Sequence, residues 1–198
     1  MPRPRLVLMS GPPAAGKSTT APLLARALGM PMFSIDATKE HLADSIGERA
    51  LAFSDELGDA ATKHVLAIAQ ELLAAGQDVM LEGFLRHGPT EPLLTPLVAM
   101  ADSVLVHLYA ADLILKDRYE ARAVRPERHW IHGDIAKLGT LLPELPPDMA
   151  APLDLGVSRL FIDTSSGMLP VAEIVALVLT MFHNATPLDH NLPAAQRA

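Results

Sequence analysis

Cysteine is absent from the 198-residue chain, which excludes disulfides, thiolate zinc sites and a thiol nucleophile. Aromatic residues are scarce, with one Trp, two Tyr and five Phe, so few rings are available for bases of a single-stranded nucleic acid to stack on. Positive charge is also short. Sixteen Lys and Arg against 23 Asp and Glu leave a net charge of −7, and that argues against general binding to nucleic-acid backbones, which draws its energy from neutralising phosphates. A local basic cluster can still hold a phosphate group. The N-terminal Met1-Pro2-Arg3-Pro4-Arg5 leads into an apolar run of only Leu6 to Met9, too short for a signal sequence or a membrane span. The expectation is a cytoplasmic protein with no nucleic-acid or membrane partner.

What is present reads as alternating short apolar strands and helices. Leu6 to Met9 has the continuous apolar character of a central strand covered on both faces. A helix follows and ends at Gly29, with Pro22 inside it as the cause of a slight kink. A second strand is predicted over Pro31 to Ile35, then Asp36 and a helix to about Ser45. From Asp59 to Ala75 the residues Ala61, Val65, Ile68, Ala69, Leu72 and Leu73 share one helical face, closed by Gly76. Val79 to Leu81 is a third strand ending at Glu82-Gly83, Val104 to Tyr109 a fourth, and Arg159 to Ile162 a fifth. Helices are predicted over Leu113 to Ala123 and Val171 to Phe182. This alternation implies an α/β fold, a parallel sheet with right-handed crossovers. The length suits a single domain over residues 1–184, with a charged, Pro- and Gly-rich lid at about 125–156 and a frayed tail at 185–198.

Between the first strand and the first helix stands Gly11-Pro12-Pro13-Ala14-Ala15-Gly16-Lys17-Ser18, a complete GxxxxGK[ST] phosphate-binding loop in the right context. Its backbone N–H groups form an anion nest backed by the positive end of a helix. The expected donor-site residues are Gly11, Ala14, Ala15, Gly16, Lys17, Ser18 and Thr19. Lys17 reaches the β- and γ-phosphates, and Ser18 can ligate Mg²⁺.

Ligands of an open parallel sheet bind beyond the carboxyl ends of the strands, where Asp36, Glu82 and Asp163-Thr164 stand. Asp36 is the candidate general base, placed to accept a proton from an attacking hydroxyl; the same residue has the identity of a helix N-cap. Glu82 would bind metal water or the acceptor, Phe84 would line the acceptor pocket, and Arg86 would hold an anionic group or lie solvated. Arg118, Arg122 and Arg125, spaced i, i+4, i+7, share a face if their helix persists, with Arg128 beyond. From a lid they would stabilise charge on the moving phosphoryl group, Arg122 and Arg125 as catalytic residues and Arg118 beside the nucleotide. Alternatively they form a solvated face paired with Asp117, Glu120 and Glu127. His129 and His132 make a poor metal site, Trp130 a lid anchor or ring wall, and His41, His64 and His107 read as structural.

The phosphate loop, Asp36 after strand two, Glu82-Gly83-Phe84 after strand three and the Arg118/Arg122 helix together resemble the small P-loop kinases of the zeta-toxin, chloramphenicol phosphotransferase, polynucleotide kinase and gluconokinase group. The resemblance implies a three-layer P-loop kinase fold with a five-stranded parallel sheet in the order 2-3-1-4-5, helices on both faces, and a lid between strands 4 and 5. It also implies ATP with Mg²⁺ as donor and an acceptor hydroxyl activated by Asp36. Glu82 to Arg86 is similar to the Asp-Gly-Phe-Pro-Arg run of nucleoside monophosphate kinases, in which the arginine matched by Arg86 holds the acceptor phosphate. Here Glu and Leu replace Asp and Pro, and Asp36 would repel an acceptor phosphate, so a neutral hydroxyl-bearing small molecule is favoured. A nucleoside or nucleotide kinase, a nucleotide-binding switch and a toxin acting on sugar nucleotides are the alternatives; the lack of an NKxD-type run counts against a GTPase. The expected assembly is a monomer or weak homodimer. An acceptor pocket is expected on helices at roughly Thr38 to Phe53 and Phe84 to Pro92.

Overall fold

The computed structural model describes residues 2–138 and 146–184; the tail expected at 185–198 and part of the expected lid lie outside them. Five strands form one parallel sheet in the order β2-β3-β1-β4-β5. Strand β1, Arg5–Ser10, is central, and five of its six residues are buried. Its side chains alternate between layers. Val7 and Met9 pack with Leu24 of helix α1 (Lys17–Leu28), and with Ile174 and Val178 of the last helix. Leu6 and Leu8 face the opposite layer, where Val65, Leu66, Ala69 and Leu73 meet Leu94 and Leu97. The sheet is thus covered on both faces, which is why β1 is apolar throughout rather than alternating.

Helix α1 runs through Pro22 and closes at Gly29, whose φ of 69° permits the left-handed cap, with Met30 N–H bonding to Ala25 C=O at 3.0 Å. Strand β2 is only Met32–Ser34, because Ser34 caps helix α2 (Ile35–Ile46) by accepting the Ala37 N–H at 3.3 Å. Ile35 therefore belongs to the helix, and Asp36 sits in its first turn while Ser34 holds the capping role. A 3-10 turn over Glu48–Phe53 leads to helix α3, Ser54–Ala74. It starts five residues before the expected Asp59 and takes Gly58 into its interior.

After β3 (Val79–Glu82) the chain is a loop over Phe84 to Thr90, where a helix was expected, and helix α4 follows at Glu91–Met100. Gly88, at φ 87°, turns the chain, and Pro92 fits the first helical turn, where no N–H is needed. Strand β4 (Asp102–Tyr109), helix α5 (Asp112–Ala123), a four-residue helix α6 (Pro147–Ala150), strand β5 (Ser158–Asp163) and helix α7 (Val171–Asn184) complete the order. Between α5 and α6, 3-10 turns at Trp130–His132 and Ile135–Lys137 carry the chain over α2. Ile131 is buried there among Ala43, Ala50 and Leu57.

Candidate active site

The loop after β1 is shaped by backbone requirements. Gly11 has a φ of 138°, and a Cβ there would lie 2.1 Å from the Leu108 carbonyl oxygen, so no other residue fits. Ala14 adopts φ 65°, the left-handed region, without being glycine. Gly16 precedes α1 with no side-chain cap, and the first turn carries no acidic residue. The N–H groups and positive dipole end are left for an external anion. Lys17, 7 % exposed, folds back so that Nζ donates to the carbonyls of Gly11 (2.7 Å) and Pro12 (2.9 Å). Burial pulls its pKa below the ordinary range, while the charges of Glu82 and Asp36 oppose that and Arg122 adds to it.

Glu82 ends β3 and is 1 % exposed. Its Oε2 accepts from Ser34 Oγ at 2.6 Å, and its Oε1 from Ser18 Oγ at 3.2 Å. Burial raises its pKa against the Ser34 hydrogen bond and the Lys17 charge, while Asp36 adds to the rise. Asp36 is half-buried, and its charge acts on Lys17, Glu82 and Arg122 alike. Lys17, Asp36 and Glu82 thus stand on three elements at the carboxyl edge of the sheet, and the Arg122 charge on α5 is felt at Lys17. Ser18 and Glu82 present hard oxygen donors of the kind Mg²⁺ takes. Among the described residues there is no cluster of three His, Asp or Glu that could hold a metal by itself, so the group fits as an ion shared with nucleotide phosphates.

The arginines divide. Arg118 donates through Nη2 to the Thr164 carbonyl (2.6 Å) and through Nη1 to its hydroxyl (3.1 Å), and that hydroxyl lies 3.2 Å from the Ala15 carbonyl. Arg118 is thereby fastened to the back of the phosphate loop. Arg122 and Arg128 both donate to Asp134 Oδ2, at 3.1 and 2.6 Å. Their partner is thus Asp134 rather than Asp117, Glu120 or Glu127. Helix α5 ends at Ala123, so Arg125 lies exposed beyond it and does not share the face of Arg118 and Arg122. Arg86, after β3, pairs with Asp148 of α6, its Nε at 2.8 Å. Phe84 stands half-buried two residues before it. Thr19 is exposed in the first turn of α1.

Three residues escaped the sequence reading: Ser34, Glu40 and Asp134. Glu40 pairs with His132 Nε2 at 2.6 Å and Arg128 Nη1 at 3.8 Å, and Asp44 with His129 Nε2 at 3.0 Å. The His132 hydrogen bond holds the Glu40 pKa down against burial. These contacts, with Trp130 37 % exposed beside His129, seat the segment after α5 on α2. Glu40 follows Asp36 by one helical turn.

A family profile described as an AAA domain, AAA_33, matches residues 6–132, well over half of the chain. The chain belongs to the AAA_33 family. The match covers the phosphate loop, Asp36, Glu82 and the Arg118/Arg122 helix, and this AAA_33 chain has the fold of the small P-loop kinases. Among solved structures, a candidate kinase from Chloroflexus aurantiacus is similar at 25 % identity and a TM-score of 0.75, over 90 % of this chain and 98 % of that one. The APS kinase of Mycobacterium tuberculosis, solved with AMPPNP and APS, is 19 % identical with a TM-score of 0.58, over 92 % and 99 % of the two chains. A sugar kinase from Janibacter is 16 % identical with a TM-score of 0.52, over 93 % and 96 %. The last two likenesses bear on fold alone. No curated protein matches the chain. No helix among the described residues is long and apolar enough to cross a membrane.

Proposed function

We propose that this protein is an ATP-dependent kinase that moves the γ-phosphoryl group to a hydroxyl of a small, uncharged acceptor, with Asp36 as general base. The observation that carries this reading is the geometry around the loop: Lys17 Nζ lies on the Gly11 and Pro12 carbonyls, Glu82 accepts from both Ser18 and Ser34, and Ser34 caps the helix whose first turn holds Asp36. Lys17 leaves its two carbonyl partners for the β- and γ-phosphates, while the uncapped N-terminus of α1 and the loop amides hold the phosphate oxygens. Mg²⁺, when bound, would neutralise phosphate charge beside Ser18 and, through water, Glu82. Asp36 accepts the acceptor's proton as the hydroxyl attacks. Arg122 meets the charge spread over the moving group, the role first shared with Arg125; Arg118 frames the nucleotide side.

The pairing of Arg86 with Asp148 supports an uncharged acceptor, because the one arginine positioned by resemblance for an acceptor phosphate already has a carboxylate partner. A panel of sugars, nucleosides and antibiotics assayed for acceptor-stimulated ADP release tests the reading. At least one neutral polyhydroxy compound should stimulate release, and Lys17→Ala should abolish it. Stimulation by nucleoside monophosphates alone, or full turnover by Lys17→Ala, would overturn it.

A further inference from the structure

We infer that Asp134 is the positioning residue that sets the Arg122 guanidinium for phosphoryl transfer. The inference rests on the role given to Arg122 above. Asp134, with only 6 % of its side chain exposed, uses both oxygens: Oδ1 accepts from the Tyr119 hydroxyl at 3.1 Å, and Oδ2 from Arg128 Nε and Arg122 Nη2. Burial alone would raise its pKa, but the hydrogen bond from Arg128 and the two arginine charges outweigh that and hold it low. The carboxylate is fixed from behind. It follows Gly133, whose φ of 59° closes the 3-10 turn Trp130–His132. That turn is pinned by buried Ile131 and by Ser54 Oγ, which donates to the Ile131 carbonyl at 3.0 Å.

Arg122 is thus constrained on two sides. Its guanidinium lies 5.0 Å from the Tyr119 ring centroid, a cation–π stack, and one edge is tethered by Asp134. Its Nε is buried and has no hydrogen-bond partner among the described residues. Such an unmade bond is costly and persists only in a geometry held by other contacts. Arg128 repels Arg122, and Asp134 is the counter-charge that keeps both in place. Asp134 reaches neither the phosphate loop nor Asp36 in any contact described, so it acts through Arg122.

The test compares binding of ADP–Mg²⁺ with and without fluoroaluminate, a mimic of the transferred phosphoryl group, in the full chain. Wild type should bind the fluoroaluminate complex more tightly than ADP. Asp134→Asn should lose about tenfold to thirtyfold of that preference while ADP affinity stays within about twofold. In an Arg122→Ala background the same substitution should add almost nothing. Should Asn prevent folding, Asp134→Glu keeps the charge and should lose a smaller part of the same preference. Equal loss for both ligands, no loss, or additivity with Arg122→Ala would make Asp134 a merely structural residue and overturn the inference. A wild-type protein with no fluoroaluminate preference would instead overturn the kinase reading itself, and the inference with it.

Discussion

The donor half and the acceptor-and-lid half of this site are built in opposite ways. The proposed donor half is one run of eight consecutive residues shaped by positive-φ backbone at Gly11, Ala14 and Gly16, with the Lys17 side chain folded back onto it. The other half is assembled from side chains on α2, α5 and the segment beyond α5, joined through Glu40–Arg128–Asp134–Arg122. Robustness and specificity therefore lie in different parts of the molecule. A backbone nest tolerates changes of side chain but not of backbone conformation, whereas a charge network tolerates backbone adjustment but not loss of one partner.

Substitutions can break this contrast. The largest effect is expected for Asp36→Asn, which should lower turnover on the true acceptor by roughly 10² to 10⁴ while leaving ATP binding nearly normal. Steady-state kinetics and nucleotide titration read the two halves separately; equal losses in both would merge them. Gly11→Ala should act on the other half by forcing a Cβ into the Leu108 carbonyl, at a cost of roughly 3 kcal/mol in denaturant unfolding and with loss of nucleotide affinity. An unchanged midpoint would show that the loop is more plastic than its geometry implies.

A pH effect sharpens the boundary between the halves. His107 is buried, its Nδ1 3.0 Å from Ser10 Oγ at the end of β1, and burial lowers its pKa from 6.5 to about 4. The unfolded chain takes up this proton below pH 6.5 and the folded chain only near pH 4. Stability should therefore fall as pH drops through that window. His107→Asn should flatten this part of the stability profile, measured by thermal unfolding at several pH values. The smallest effect is expected for Arg86→Ala. Its ion pair with Asp148 is about half exposed, so stability should change by less than about 1 kcal/mol. The KM for a neutral acceptor should move little, and a large rise would return Arg86 to acceptor binding.

The legibility of the chain follows the same division. The phosphate loop, the five strands and the capping Gly29 rest on local spacing, and all are present. The helix expected from Phe84 starts only at Glu91, because the chain turns at Gly88 and Pro92 fits the first helical turn. The capping role that Asp36 has the identity for belongs to Ser34, two residues earlier. Arg125 was grouped with Arg122 on the assumption of a continuing helix; α5 stops first, and Arg128 takes the shared carboxylate instead.

The phosphate loop and the parallel α/β architecture are legible from residue order alone, because each depends on residues a few positions apart. That Arg122 and Arg128 share the Asp134 carboxylate emerges only on folding. Asp134 lies 12 residues from Arg122, and His132 lies 92 from Glu40. Such pairs are set by the docking of one segment on another, here Ile131 among Ala43, Ala50 and Leu57. Hydrophobic burial chooses that docking without regard to the charges it brings together.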